Sequence, residues 1–299
     1  MMKLPLLLFA VATVLAAAET PCPIFPEPRS WSPAETALAL GPATPIVISA
    51  EPSASDVHAA LTLSAEFADT FGVGVPIVRS AVLPAGPCIV LGDTKNALVR
   101  AAFAARKQAV PSETHAEGYV LIADAKGAIL AGFDEPGTFY AVQSARQLVR
   151  RTSPNGSAEL AGARIADWPV TAFRGVRVFL PGRDSLPFFR RWLADFVALN
   201  KFNKLILELN ASMRFERRPE LNAGWLDFSR SLNLSRRDRP RGPNGEGQDS
   251  SHHDTGDGGI LEKSEVAELV RLLLHRPPHG PYPAAYIRSG DNGVQQRAA

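Results

Sequence analysis

The fold of this chain is decided by the stretch Gly137-Thr138-Phe139-Tyr140-Ala141-Val142-Gln143-Ser144-Ala145-Arg146-Gln147-Leu148, followed by Ile165-Ala166-Asp167-Trp168-Pro169 and then by Arg174-Gly175. In the first stretch, apolar side chains recur three or four residues apart, which predicts an amphipathic helix. Asp134-Glu135 stands just before it, where acidic side chains are common because they interact favourably with the positive end of a helix. The two later stretches lie where the pattern of the chain changes.

Upstream of this helix, short apolar runs alternate with helical periods. The predicted elements are strands at residues 46–48, 88–91, 119–122 and 128–131, and helices at residues 55–71, capped by Ser55, and 96–107. The last two strands are separated by Asp124-Ala125-Lys126-Gly127, a short turn with a glycine, which indicates an antiparallel hairpin. Elements in this order favour a compact α+β layer domain of about residues 30–152.

Downstream, the pattern becomes strand, helix, strand. The predicted elements are strands at residues 176–180 and 204–209, a helix between them at residues 186–199, and a further helix at residues 262–274. This spacing predicts a βαβ unit with a parallel pair of strands. Residues 210–259 form a long polar segment, and a loop of that length is unusual unless it is functional. The tail, residues 276–299, has no apolar period.

The composition is that of a globular protein able to bury a core, with 45% hydrophobic and 21% charged residues among 299. The formal net charge of +2 is too small to indicate nucleic acid, and the arginines between Arg214 and Arg241 are mixed with acidic residues. His252-His253-Asp254 has metal-binding residue types, but adjacent histidines point in different directions and no further ligand motif supports a site. We therefore predict no cofactor, no metal and no nucleic acid partner.

The N-terminus is typical of a secretory signal peptide, residues 1–18. A lysine precedes an apolar run from Leu4 to Leu15, and Ala16-Ala17-Ala18 supplies a small-residue cleavage site. The run is too short to span a membrane. The sequence thus predicts an exported protein, periplasmic or secreted, with no membrane span. Export permits a disulfide between Cys22 and Cys88, and the sequence leaves the bonded and the free states open.

The order of these features resembles glycoside hydrolase family 20, the β-N-acetylhexosaminidases. The first stretch is similar to the family's helix G-x-x-Y-x-x-Q-[ST]-x-x-Q-L, and Asp167-Trp168-Pro169 with Arg174-Gly175 resembles its entry to the first barrel strand. Three further segments are similar to its E-G-Y-x-L strand, its helix-to-strand step and the start of its second barrel helix: Glu117–Leu121, Phe196–Leu205 and Gly259–Val266. Each motif is weak alone, but five in the same order are specific. The resemblance covers residues 110–274 well and residues 30–110 loosely.

The resemblance implies an α/β fold in two parts. The first is a small N-terminal α+β (zincin-like) domain, residues 19–152, and the second is an incomplete TIM (β/α)8 barrel that starts over residues 165–275. Two strands of eight cannot close a barrel, so we expect a poorly folded C-terminal half. Residues 276–299 are expected to be foreign to the fold.

The resemblance also implies a chemistry, the substrate-assisted hydrolysis of terminal N-acetylhexosamine residues of glycans. A Glu acts as general acid and then base, the acetamido oxygen of the sugar attacks the anomeric carbon, and a neighbouring Asp orients the amide. No Asp-Glu pair occurs after Asp134-Glu135. We therefore assign no catalytic residue, and we expect a chain truncated before the catalytic pair and inactive alone.

Three residues are candidates for substrate binding. The family carries R-G-x-x-x-D-x-x-R at its first barrel strand, whereas here Phe179 replaces the Asp and Arg183 falls one position late. Arg183 is thus a candidate sugar contact, with a solvated loop arginine as the alternative. Glu208 and Asn210 stand at the end of the second strand, where barrel folds keep their sites.

The other motif residues are predicted to be structural. Tyr140 and Gln143 are expected to lie where the helix packs against the barrel, with the Gln143 amide bonded to backbone. Asp167 is expected to brace the junction, and Trp168 to fill apolar space.

A second hypothesis is a noncatalytic carbohydrate-binding or interaction module built on the small domain. It requires exposed aromatic side chains arranged as a platform. The aromatic residues in question lie on helix faces and are expected to be core: Phe67, Phe71, Phe139 and Tyr140.

Overall fold

The computed structural model describes residues 21–153, 156–209, 212–227, 260–274 and 287–289. The predicted signal peptide, residues 1–18, lies outside these ranges. So do Asn210, the stretch His252-His253-Asp254 and most of the tail.

Within these ranges the chain forms thirteen strands and six α-helices. The strands are β1 (Ser30–Pro33), β2 (Leu38–Leu40), β3 (Ile46–Ser49), β4 (Ile77–Ser80), β5 (Ile89–Asp93), β6 (Tyr119–Asp124), β7 (Gly127–Gly132), β8 (Val149–Arg151), β9 (Ala158–Leu160), β10 (Ala163–Asp167), β11 (Gly175–Phe179), β12 (Lys204–Glu208) and β13 (Ile287–Ser289). The helices are α1 (Ala54–Phe71), α2 (Ala97–Ala105), α3 (Glu135–Leu148), α4 (Leu186–Trp192), α5 (219–227) and α6 (Lys263–Leu274).

The N-terminal part is built on a mixed sheet of eight strands in the order β1-β10-β6-β7-β5-β3-β4-β13. The neighbours from β7 to β13 pair in parallel, whereas β1, β10, β6 and β7 pair antiparallel. The predicted hairpin is confirmed, since β6 and β7 pair up to Asp124 and Gly127. A small antiparallel sheet of β2, β9 and β8 lies beside the large one.

Helices cover both faces of the large sheet. On one face α1 and α3 contribute Phe67, Ala141 and Val142 to the main core, and all three are fully buried. On the other face α2 contributes Val99 and Phe103 to a second core. The mixed α/β character predicted from the sequence is therefore confirmed.

The N-cap of the first helix lies two residues earlier than the sequence predicts. Ser53 is its N-cap, because its hydroxyl accepts a hydrogen bond from the backbone N–H of Asp56 at 3.0 Å. Ser55, the predicted cap, lies inside the helix, and its hydroxyl instead donates to the carboxylate of Glu135.

The change from the N-terminal sheets to the next unit falls later than residues 152–165. The strand β10 lies within the range predicted to start the second unit, but it pairs with β1 and β6 of the large sheet. The strands β8 and β9 likewise close the small sheet. The connection to β11 is therefore residues 168–174.

After this connection comes the predicted βαβ unit, which we call the parallel unit: β11, α4 with its extension, and β12. Its strands pair in parallel from Gly175 and Lys204 onward. A short 3-10 turn, Arg183–Ser185, precedes α4, and a π-helical segment, Leu193–Ala198, continues it. A third core joins this unit to α6 and contains Leu180, Phe189, Leu261, Val266 and Leu269.

Both cysteines are free thiols in this structure, so the disulfide left open by the sequence is absent. Cys22 packs against the core of α1 and α3, whereas Cys88 is buried in the core of α2. The sheet separates the two sulfurs, because these cores lie on its opposite faces. Burial raises the pKa of the Cys88 thiol.

Candidate functional site

The parallel unit brings the ends of β11 and β12 to one edge, where the sequence predicts substrate contacts. The backbone N–H of Leu180 donates to the carbonyl of Glu208 at 2.9 Å, which extends the ladder past Phe179. Arg183 and Glu208 both lie at this carboxyl edge. The third candidate, Asn210, lies outside the described residues.

Arg183 is held by the N-terminal turn of α6. Its Nε and Nη2 atoms donate to the two carboxylate oxygens of Glu265 at 2.8 and 2.7 Å, and Nη2 also donates to the carbonyl of Ile260 at 3.1 Å. The guanidinium and the backbone N–H of Glu262 hold the pKa of Glu265 well below its usual value, at about 2. Arg183 thus connects the turn before α4 to the start of α6 through two groups, the Glu265 carboxylate and the Ile260 carbonyl.

Glu208 has a different ionic partner. The Nε of Arg177, on the neighbouring strand, donates to the Glu208 carboxylate at 2.7 Å, and its Nη2 contacts the same oxygen. The Arg177 side chain is 65% exposed and that of Glu208 30%, so the pair faces solvent. Sequence reasoning missed both partners, Arg177 and Glu265. The one available signal was that each predicted element contains a charged residue.

A second polar cluster, which we call the junction, lies between the N-terminal sheets and the parallel unit. Lys201, at the end of the helix after β11, places its Nζ 2.9 Å from the Asp167 carboxylate and 2.8 Å from the Tyr119 hydroxyl. The Tyr119 hydroxyl also lies 2.5 Å from the Ser144 hydroxyl and 3.0 Å from Asp167. Four motifs quoted from the sequence therefore meet at one point.

The junction continues through Arg174 and Asn203. Arg174 forms an ion pair with Glu117, and its backbone N–H donates to the Asn203 side chain at 3.0 Å. The Asn203 amide donates to the same Glu117 carboxylate at 3.0 Å. The Arg174 guanidinium also lies 5.3 Å from the ring centroid of Tyr140.

Burial dominates the electrostatics of the junction. It lowers the pKa of Lys201 against the opposing effect of Asp167, and it raises the pKa of Tyr119 well above its usual value. The side chains of Lys201 and Asp167 are only 8% and 13% exposed. This arrangement braces two units, as predicted for Asp167, and leaves little room for a substrate.

The structure corrects the predicted role of Gln143. Its carbonyl oxygen accepts from Nη1 of Arg146 at 2.9 Å, a side-chain partner instead of the predicted backbone group. Its buried Nε2 has no hydrogen-bond partner among the described residues. The packing of α3 against the helix after β11 instead uses Arg146 and Gln147.

In the described ranges, no three His, Cys, Asp or Glu side chains are grouped as a metal site would need. None of the helices described there is both long and apolar enough to cross a membrane.

The N-terminal part matches a known protein family. Residues 21–168, from the first described segment through β10 to Trp168, match the family model "Glycosyl hydrolase family 20, domain 2". These residues include α3 and the whole of the large sheet except β13.

Three solved structures illustrate the similarity in fold. The β-N-acetylhexosaminidase of Streptomyces coelicolor A3(2) has 21% identity and a TM-score of 0.54, over 86% of this chain and 45% of that one. A mutant β-hexosaminidase of Streptomyces plicatus in complex with its product, GlcNAc, has 21% identity and a TM-score of 0.52, over 86% and 44%. The exo-β-N-acetylglucosaminidase of Vibrio harveyi in complex with N-acetylglucosamine has 15% identity and a TM-score of 0.51, over 68% and 28%.

This chain therefore spans less than half of the length of each of these solved proteins. At such identities the likeness establishes the fold. The match to the family model adds the identity of the domain that carries most of the core. Through this domain 2, the chain belongs to glycosyl hydrolase family 20.

Proposed function

We propose that this chain supplies the beginning of a β-N-acetylhexosaminidase that releases terminal N-acetylhexosamine from glycans by substrate-assisted hydrolysis. The observation that carries the proposal is the parallel unit joined to domain 2 by the junction, where Lys201 contacts both Asp167 and Tyr119. This is the arrangement expected if β11 and β12 are the first two strands of a (β/α)8 barrel. The predicted signal peptide supports a protein exported to the periplasm or beyond the cell.

We assign none of the described residues to the reacting groups of this chemistry. In the family that the sequence resembles, the Glu that protonates the leaving oxygen and the Asp that orients the acetamido group are neighbours, and no Asp-Glu pair follows Asp134-Glu135. Asp134 has another task, because its carboxylate caps α3 by accepting from the N–H of Gly137 at 2.8 Å. We therefore expect the 299 residues alone to be inactive as a hydrolase.

The carboxyl edge of β11 and β12 is the proposed binding rim. Arg183 and Glu208 are partly exposed there, each in an ion pair that a sugar hydroxyl could join or replace. Asn210 is proposed as a third contact.

The structure gives no support to the alternative of a noncatalytic sugar-binding platform on domain 2. Phe67 is fully buried, Tyr140 is 6% exposed, and Phe139 and Phe71 are only partly exposed against the same core. Rings held in a core cannot stack on a sugar.

The test has two parts. The gene is resequenced from the Glu262 codon and translated in all frames, and both the 299-residue chain and any longer reading are assayed on a chromogenic N-acetyl-β-glucosaminide. We expect no turnover from the chain, and turnover from a longer reading that contains an Asp-Glu pair. That turnover should be lost when the Glu of the pair is changed to Gln. Turnover by the 299 residues alone, or a longer reading that cleaves only sugars without an acetamido group, would falsify the proposal.

A further inference from the structure

The helix that follows β11 changes its winding in the middle. It is an α-helix over Leu186–Trp192 and a π-helix over Leu193–Ala198. In a π-helix each N–H bonds to the carbonyl five residues earlier, so the N–H of Ala198 is directed to Leu193. Past its end the winding is α-helical again, because the N–H of Asn200 donates to the carbonyl of Phe196, four residues earlier, at 3.0 Å.

The carbonyl of Ala194 has a different backbone partner in each winding. In an α-helix it would accept from the N–H of Ala198, and in a π-helix from that of Leu199. A side-chain donor from outside the helix that bonds to this carbonyl competes with the α-helical partner. The insertion of a side chain into the α-helical hydrogen-bond ladder is a known cause of such irregularities.

Domain 2 supplies that donor through Arg146 of α3. Nη1 of Arg146 donates to the carbonyl of Ala194 at 3.1 Å, and Nη2 lies 3.3 Å from the carboxylate of Asp195. One residue further along α3, Gln147 donates to the carbonyl of Leu199 at 3.3 Å. The two contacts therefore bracket the π-helical segment.

Arg146 is held rigidly for this task. Its side chain is only 8% exposed, and it forms an ion pair with Glu66 of α1 at 2.6 Å. It also donates to the Gln143 side chain at 2.9 Å. Both partners belong to domain 2, so the position of the guanidinium is fixed before the parallel unit contacts it.

We propose that Arg146 holds the helix after β11 in its π winding, and that domain 2 thereby positions the segment Arg183–Trp192. A return to α winding would remove one residue from the turn. It would move the preceding part of the helix by about 1.5 Å and rotate it by about 100° relative to the following part. Arg183 begins that part, so Arg146 is a positioning residue for the edge that carries Arg183. The role of this edge in sugar binding rests on the proposed function, whereas the winding does not.

The test is hydrogen exchange of the full chain, measured by mass spectrometry on peptides covering residues 193–202. In Arg146→Met we expect exchange there to be at least tenfold faster than in the unchanged protein. Arg146→Lys keeps a positive charge beside Glu66 but cannot serve Ala194 at the same time. It should give the same local increase while the peptides of β5 and β7 keep their slow exchange. The control is Arg150→Met, since the Arg150 side chain is 64% exposed and pairs only with Glu159 among the described residues.

A second readout reports on the winding itself. With 5-fluorotryptophan incorporated, the ¹⁹F resonance of Trp192, at the last α-helical position, should shift in both Arg146 variants, and that of Trp31 in β1 should not. Unchanged exchange in residues 193–202, or an increase equally large in β5 and β7, overturns the proposal. Neither readout depends on hydrolysis, so a failure here leaves the proposed function to its own test.

Discussion

Lys201 shows at the scale of one residue what holds the two parts of the molecule together. Its ammonium group has the Asp167 carboxylate at 2.9 Å and the Tyr119 hydroxyl at 2.8 Å, in a site almost closed to solvent. Lys201→Met removes one partner and leaves a carboxylate buried without its cation. We expect the free energy of unfolding to fall by about 3–5 kcal/mol in urea titration. The control is Lys204→Met, whose exposed side chain should change the value by less than about 0.5 kcal/mol.

The ion pair at the proposed binding rim can be followed by titration. Arg183 holds the pKa of Glu265 at about 2, against a usual value of 4.5. Because this pKa is lowered in the folded state, the pair stabilises the fold above pH 4.5. That contribution is lost as the pH falls from 4.5 towards 2. In Arg183→Met we expect the pKa of Glu265 to rise towards 4.5, measured by ¹³C NMR of its carboxyl group. An unchanged titration would mean that the Arg183 contact is absent in solution.

These residue contacts were beyond prediction from the sequence. Tyr119, Asp167 and Lys201 each lie in a motif that is visible in the sequence, and the sequence predicts a bracing role for Asp167. However, Tyr119 and Lys201 are 82 residues apart. No local periodicity relates side chains at such a distance, because their meeting depends on how complete elements pack.

At the scale of the element, two glycines explain why α3 lies so close to the sheet. A Cβ atom at Gly137 would lie 2.0 Å from the carbonyl oxygen of Gly118, and one at Gly132 would lie 2.1 Å from the backbone N of Thr138. Backbone atoms cannot move aside as side chains do. We expect Gly137→Ala to lower the free energy of unfolding by about 3 kcal/mol in urea titration.

Gly224 provides the matched control for this substitution. It lies in α5, and a Cβ there would meet nothing within 4 Å. Gly224→Ala should therefore stabilise its helix by about 0.5–1 kcal/mol, since alanine is the better helix former. Equal effects at Gly137 and Gly224 would contradict the close approach of α3 to the turn at Gly118.

The long elements were predictable, whereas several of the short strands were not. The helices α1, α2 and α3 and the hairpin of β6 and β7 carry enough residues for their periodicity to show. By contrast, β8 and β9 have three residues each and β1 has four, too few for an alternating pattern. Their absence from the prediction placed the end of the first domain at residue 152 instead of after β10.

At the scale of the whole molecule, the hydrophobic cores differ in size. Two cores that contain the large sheet fill domain 2, whereas the parallel unit shares one small core with α6. We expect a fragment of residues 21–168 to fold alone, with near-UV circular dichroism and a cooperative thermal transition. A fragment of residues 169–299 should show neither. Should the second fragment fold and the first not, the assignment of stability to domain 2 is wrong.

The pairing of β1 with β10 determines when β1 can join the sheet during synthesis of the chain. Ser30 of β1 lies opposite Ala166 of β10, so β1 has no neighbour in the sheet until nearly the whole of domain 2 has been made. At a typical elongation rate, about 5–20 residues per second, this wait is on the order of 10 s. During that interval the newly made chain carries its first strand unpaired. The first strand to be synthesised is therefore among the last to join the sheet.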